Sequence, residues 1–232
     1  MNRFVRIVLF ILVCVNCVIC GVRKAKRSCP GVNGEICSIC CGTEREETVD
    51  CPLDCEFLRQ AHQHANTHEA AQNAELPDKG VMVEEDFIRQ YEWVLMLIGS
   101  ALIDGYRELP AATDYDAREA LAALVKTYQT MESGLIYETK PTNPYAAAMC
   151  DSVRERVAEI QKRLADNGEP GYLRDSAVLK LLIFLRRLEV LDNNGRKRSR
   201  AFLDMLNRSY VGRPNPEAVE DSEAPQAPQI IL

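Results

Sequence analysis

Six cysteines lie within CPGVNGEICSICCGTEREETVDCPLDC, residues 29 to 55. They are Cys29, Cys37, the adjacent Cys40 and Cys41, Cys51 and Cys55. A C-x-x-C turn offers two thiolates from one tight loop, and a second cysteine pair some ten residues later completes the tetrahedral set that zinc prefers. The expected ligands are Cys37, Cys40, Cys51 and Cys55 around one Zn2+, with Cys29 and Cys41 as alternates. Four thiolates also hold an iron–sulfur cluster, and disulfides are a third use of the same residues if the chain is exported. A two-metal cluster using all six is a further arrangement.

These ligands need elements to hold them. Pro52 suits the first position of a helix, and Leu53 to Ala74 is rich in helix formers, so Cys51 is expected to cap a helix that carries Cys55 on the same face. The positive end of that helix favours thiolate. Gly42 allows a sharp turn after the cysteine pair, and Thr43 to Asp50 reads as a small hairpin. The chain's three histidines, His62, His64 and His68, follow on the same helix. His62 lies about 10 Å along the axis from Cys55, beyond the reach of one ion. His64 and His68 share a face turned away from the cysteines and read as solvated.

The run CPxxxxxICxxCCGTxREE, followed by CPxDCxxLxxA, resembles the opening of a group of uncharacterised bacterial proteins. In these a small zinc-ribbon-like module precedes an all-helical region. The resemblance covers Arg23 to Ala61 best, with GLIYE and RSRAFLDML similar but less specific. It implies a cytosolic metal module and no substrate.

Ahead of the module, residues 1–21 form an apolar leader in which Arg3 and Arg6 precede a run from Ile7 to Ile19 broken at Asn16. The run is shorter than the roughly 20 apolar residues of a membrane helix. Three readings stand: a membrane anchor or uncleaved signal, a cleaved export signal, or an upstream extension of a chain whose native start is Val22. The last makes the protein cytoplasmic; the others make it membrane-anchored or exported.

Beyond residue 80 the apolar residues recur at helical spacing. Phe87 to Tyr106 forms one stripe that Pro110 stops. A second helix starts near Asp114 or Asp116, carries Ala117, Leu121, Leu124, Val125, Tyr128 and Met131, and ends near Gly134. Asn143 and Pro144 begin a third, which ends at Asn167-Gly168. Leu173 to Leu191 makes a fourth, and a shorter helix carries Phe202, Leu203, Leu206 and Tyr210. The fold class is mostly α, with a Cys-rich metal-binding module over 22–75 and an antiparallel helical bundle over 81–212. Residues 213–232 are rich in Pro and Glu and read as a disordered tail.

Catalytic signatures are missing. No histidine follows His68, so the Glu-x-x-His pairs of di-iron bundles are absent, as are a phosphate-cradling loop, G-x-S-x-G and a dinucleotide fingerprint. Cys150 reads as an inert buried thiol and Trp93 as core or rim packing. A net charge of -6 argues against a dedicated nucleic-acid coat. Local basic clusters, Arg23 to Arg27, Arg186-Arg187 and Arg196 to Arg200, leave a phosphate clamp open. The expectation is a noncatalytic, zinc-stabilised helical protein that binds a protein partner. The alternative is a redox or metal-handling protein with a labile zinc or iron–sulfur site.

Overall fold

The computed structural model describes residues 15–65, 75–135, 137–169 and 171–210. The expected tail over 213–232, His68 and residues 1–14 of the leader lie outside them. Within residues 15–21, Cys17 is buried in the core of the cysteine module and Cys20 packs against it.

The module starts with a loop over residues 15–25, in which Ala25 N–H donates to the Val15 carbonyl (2.9 Å) and Asn16 bridges Lys24. Next comes a short antiparallel hairpin, β1 Arg27–Cys29 and β2 Gly34–Ile36, with Arg27 opposite Ile36 and Cys29 opposite Gly34. Its turn, Pro30–Val32, ends at Asn33 with a left-handed φ of 48°, a conformation asparagine tolerates well. Helix α1, Ser38–Glu44, follows directly.

The hairpin expected over 43–50 is instead the end of α1 and a tight loop. The Glu44 carbonyl accepts the N–H groups of Glu47, Thr48 and Val49, which curls the chain back in place of strand pairing. The helix expected from Leu53 begins later, as α2 at Glu56–His64 with Cys55 as its N-cap. Cys55 N–H donates to the Pro52 carbonyl in a turn, and Leu53 is buried among bundle residues. Cys51 therefore lies before this turn, and Cys51 and Cys55 do not share a helix face.

The bundle contains α3 Glu85–Gln90, α4 Glu92–Glu108, α5 Asp114–Glu132, α6 Pro144–Asp166, α7 Asp175–Asp192 and α8 Ala201–Tyr210. The stripe expected as one helix from Phe87 to Tyr106 is broken at Tyr91, whose hydroxyl donates to the Tyr172 carbonyl at 3.0 Å. Helix α4 packs on α6, α5 packs on α6 and α7, and α8 seats against α4, α5 and α7. Ile98, Leu102, Leu121, Leu124, Met149, Leu181 and Phe202 are fully buried in this core, each worth roughly 1.5–3 kcal/mol of transfer free energy. Met131, expected on the stripe of α5, is exposed, and Trp93 lies at the rim beside Tyr172.

Starts and stops follow local chemistry. Thr113 and Asp116 form a capping box on α5, Asn143 caps α6 with Pro144 in its first turn, and Gly134 and Gly168 close α5 and α6 with positive φ. Asp114, at the start of α5, also caps α8. Its carboxylate accepts from Ser199 Oγ (2.6 Å) and from the N–H groups of Phe202 and Leu203 (3.1 Å each). Burial raises this carboxyl to about 6 despite those bonds.

The segment before α8 straps the module to the bundle. Arg200 is fully buried; its guanidinium donates to the carbonyls of Ala112 (2.8 Å), Cys51 (2.8 Å) and Pro110 (3.3 Å) and pairs with Asp50. Arg196 donates to the carbonyls of Gly42 (3.4 Å) and Arg45. Arg186 pairs with Asp78, and Arg187 holds the carbonyls of Pro77, Asp78 and Val81. Arg186, Arg187, Arg196 and Arg200 are thus directed at the protein's own carbonyls and carboxylates.

Candidate metal centre

Two loops of the same design face each other. In the first, Cys17 N–H donates to the Arg23 carbonyl (2.8 Å) and Gly21 N–H to the Cys17 carbonyl (2.7 Å), a turn that needs the left-handed φ of 67° at Gly21. Val18 N–H bonds the Glu35 carbonyl at 3.0 Å, which fixes this turn against β2. The second loop leaves β2 at Ile36, with Cys37 as N-cap of α1. The Cys37 Sγ accepts the Cys40 N–H at 3.4 Å, and one helical turn separates the two thiols.

The sulfurs of Cys17, Cys20, Cys37 and Cys40 all lie within 4.8 Å of one another. A tetrahedral ion with metal–sulfur bonds of about 2.3 Å places its sulfurs about 3.8 Å apart, so the cluster is dimensioned for one metal ion. Cys17, Cys37 and Cys40 are buried and Cys20 is partly exposed. Burial opposes ionisation of Cys17, but the N–H groups of Cys20, Cys37 and Ile19 are aimed at its sulfur and hold the thiol down to about 6. The N–H groups of Arg23 and Val22 lower Cys20 in the same way. Cys40 is pushed up to about 12 by burial and by the neighbouring thiols. Four thiols this close cannot all ionise unaided; a bound cation makes the fully deprotonated set favourable and releases the protons.

The expected set of Cys37, Cys40, Cys51 and Cys55 is divided between two places. Cys37 and Cys40 join Cys17 and Cys20. Cys51 and Cys55 line a separate pocket with the alternates Cys29 and Cys41. The adjacent Cys40 and Cys41 thus face different neighbours. Cys17 and Cys20 fall within residues 1–21, the segment that composition reads as an apolar leader. The missed signal was C-x2-C-x16-C-x2-C over residues 17–40, a spacing that fits zinc sites. All nine cysteines among the described residues are free thiols. Cys150 is buried in the bundle, where burial raises its thiol to about 12 and the Ala120 carbonyl accepts from it at 3.4 Å.

The histidine of consequence is His62, for which the sequence offers no role beyond its distance from Cys55. Its side chain is 5% exposed, with Nδ1 at 2.9 Å from Asp204 Oδ2 and Nε2 at 3.1 Å from Glu46 Oε2. Burial alone would lower its pKa, but hydrogen bonds and charge from Asp204 and Glu46 outweigh it and raise the imidazole to about 9. Glu46, buried in the loop after α1, also accepts from Asn194 Nδ2 (2.7 Å) and the Arg200 N–H (2.6 Å). Burial would raise its carboxyl, yet these partners, led by His62, hold it below the usual carboxylate range. With both ring nitrogens engaged, His62 is a charged rivet between module and bundle. His64 is exposed.

No helix among the described residues is long and apolar enough to cross a membrane. Compared with protein families, with curated proteins and with solved structures, the chain matches none.

Proposed function

We propose that the chain is a noncatalytic helical protein whose N-terminal module is stabilised by zinc at Cys17, Cys20, Cys37 and Cys40, and that it acts by binding a protein partner. The clustering of the four sulfurs within 4.8 Å carries this reading. An all-thiolate donor set suits Zn2+, and a closed set of four protein ligands is the structural form of a zinc site, with no open position for substrate. His62, flanked by carboxylates on both nitrogens, is positioned to hold charge and not to relay a proton. The engagement of Arg196 and Arg200 within the fold favours a protein partner over a phosphate backbone.

Metal analysis of the full chain, purified without an affinity histidine tag, tests the site. Zinc that is lost in Cys17→Ser and in Cys37→Ser, with the bundle's helical signal retained, is expected. Metal-free, folded protein would overturn it. The partial exposure of Cys20 favours a second reading, a labile or iron–sulfur site. Visible absorbance with iron and sulfide in the purified protein would put that reading first, because zinc is colourless.

A further inference from the structure

We propose a second metal site at Cys29, Cys41, Cys51 and Cys55, taking a thiophilic divalent ion such as Zn2+ and interleaved along the chain with the first. It is a separate set of ligands and does not rest on the first site being filled. The four side chains line a single cavity of about 10 Å3, a volume on the scale of one water or one ion. Cys29 comes from the end of β1, Cys41 from α1, Cys51 from the segment after the Glu46 loop, and Cys55 from the cap of α2. Four separate stretches deliver these thiols to one pocket, but their sulfurs lie farther apart than the 4.8 Å of the first cluster, so a bound ion would have to draw them together.

A cluster of small apolar side chains would account for buried thiols, but not for the polar groups directed at these sulfurs. Arg27 donates to Cys41 Sγ at 3.2 Å and Arg45 at 3.7 Å, which places two guanidinium groups beside this sulfur. The N–H groups of Val32 and Gly31 point at Cys29 Sγ, and that of Glu46 at Cys51 Sγ, the same arrangement that surrounds Cys17 and Cys20. The turn after Cys29 is also fitted closely to the segment that delivers Cys51. A Cβ at Gly31 would meet the Asp50 carbonyl oxygen at 2.6 Å.

Chain order alternates between the sites: Cys17 and Cys20 serve the first, Cys29 the second, Cys37 and Cys40 the first, and Cys41, Cys51 and Cys55 the second. Two ions bound in this order cross-brace a module whose hairpin has only three residues per strand. Loading the second ion displaces the protons of its neutral thiols to solvent and leaves the cysteines reduced.

Native mass spectrometry of the untagged full chain counts the ions, and alkylation of the folded protein with N-ethylmaleimide followed by peptide mapping identifies protected cysteines. Two zinc ions per chain, with both groups of four protected, are expected. Co2+ substitution should give two tetrathiolate equivalents by their charge-transfer absorbance, and Cys51→Ser should lose one ion while Cys17, Cys20, Cys37 and Cys40 stay protected. One ion with only those four protected overturns the second site and leaves the first intact. One ion with only Cys29, Cys41, Cys51 and Cys55 protected supports the second site and removes the first. No metal in folded protein overturns both.

Discussion

Replacing His62 by glutamine tests how the module is fastened to the bundle. The side chain is 5% exposed, with a carboxylate on each ring nitrogen, and its pKa is raised from 6.5 to about 9. Because the folded value lies above the unfolded one, the stabilisation is complete below about pH 6.5 and is lost as pH rises through about 9. One pKa unit is worth about 1.4 kcal/mol, so the wild-type protein should lose about 3 kcal/mol from this group between pH 6.5 and 9. Glu46 acts on the acid side. Its lowered pKa gives stability that is present above 4.5 and lost as pH falls through its folded value. His62→Gln keeps hydrogen-bonding capacity but cannot charge, so it should be less stable near pH 6.5, and its deficit should shrink by about 3 kcal/mol by pH 9. Urea unfolding of both metal-loaded proteins across that range measures the difference, and thiol or tyrosine titration common to both cancels. Nitrogen NMR of histidine-labelled protein gives an independent reading, since only three imidazoles contribute. Parallel pH profiles for the two proteins, or no imidazole remaining charged above pH 8, would refute the reasoning.

Gly105 of α4 lies against α6, where an added Cβ would meet Met149 Cα at 2.7 Å and its backbone nitrogen at 3.0 Å. Helix propensity alone favours alanine by about 1 kcal/mol; Gly105→Ala should instead destabilise by about 2 kcal/mol, since backbone cannot yield as a side chain can, and a rise in melting temperature would contradict the close packing. Asp114→Ala removes the cap of α8 and leaves Ser199 Oγ without its buried acceptor, with an expected cost of about 2–3 kcal/mol in chemical denaturation. Asp114→Asn retains one acceptor oxygen and should cost less; equal losses would argue against capping. Stripping metal with a chelator should raise hydrogen exchange across residues 15–55 while α4 to α7 stay protected; a uniform rise in both regions would show that the bundle depends on the metal as well.

The bundle was legible because its signals are local. Asn143-Pro144, Gly134 and Gly168 mark helix ends through their own backbone preferences, and the apolar spacing of Leu121, Leu124 and Val125 reports the buried face directly. The metal centre was only half legible. Cys37 and Cys40 are one turn apart and announce themselves, but their partners Cys17 and Cys20 stand within an apolar run, which composition assigns to a leader. Cys51 and Cys55 do not share the helix face that their spacing suggested, because Pro52 marks a turn here and helix α2 starts only at Glu56. His62 could not be found by pattern at all. Its partners Glu46 and Asp204 are 16 and 142 residues away in the chain, and only tertiary structure makes a polar helix position a buried charge.

Metal binding and domain docking are physically linked through the short segment from Cys40 to Leu58. Cys40 contributes to the first thiol cluster, and Cys41, Cys51 and Cys55 line the second cavity. Between them, Glu46 holds His62 and the Arg200 N–H, while the Cys51 carbonyl receives the Arg200 guanidinium. The loop that presents Glu46 runs between thiols on both sides, and Glu46 itself has a left-handed φ of 54°, a conformation that costs a non-glycine residue about 1 kcal/mol or more unless its surroundings enforce it. Ligation of Cys40, Cys41 and Cys51 would enforce it. Loss of metal would free this loop, leave His62 without its Glu46 partner, and expose the Arg200 donor now satisfied by the Cys51 carbonyl. With both proposed sites loaded, the ions would do more than fold a small module: they would also hold in place the Glu46 carboxylate that fastens it to the helices through His62.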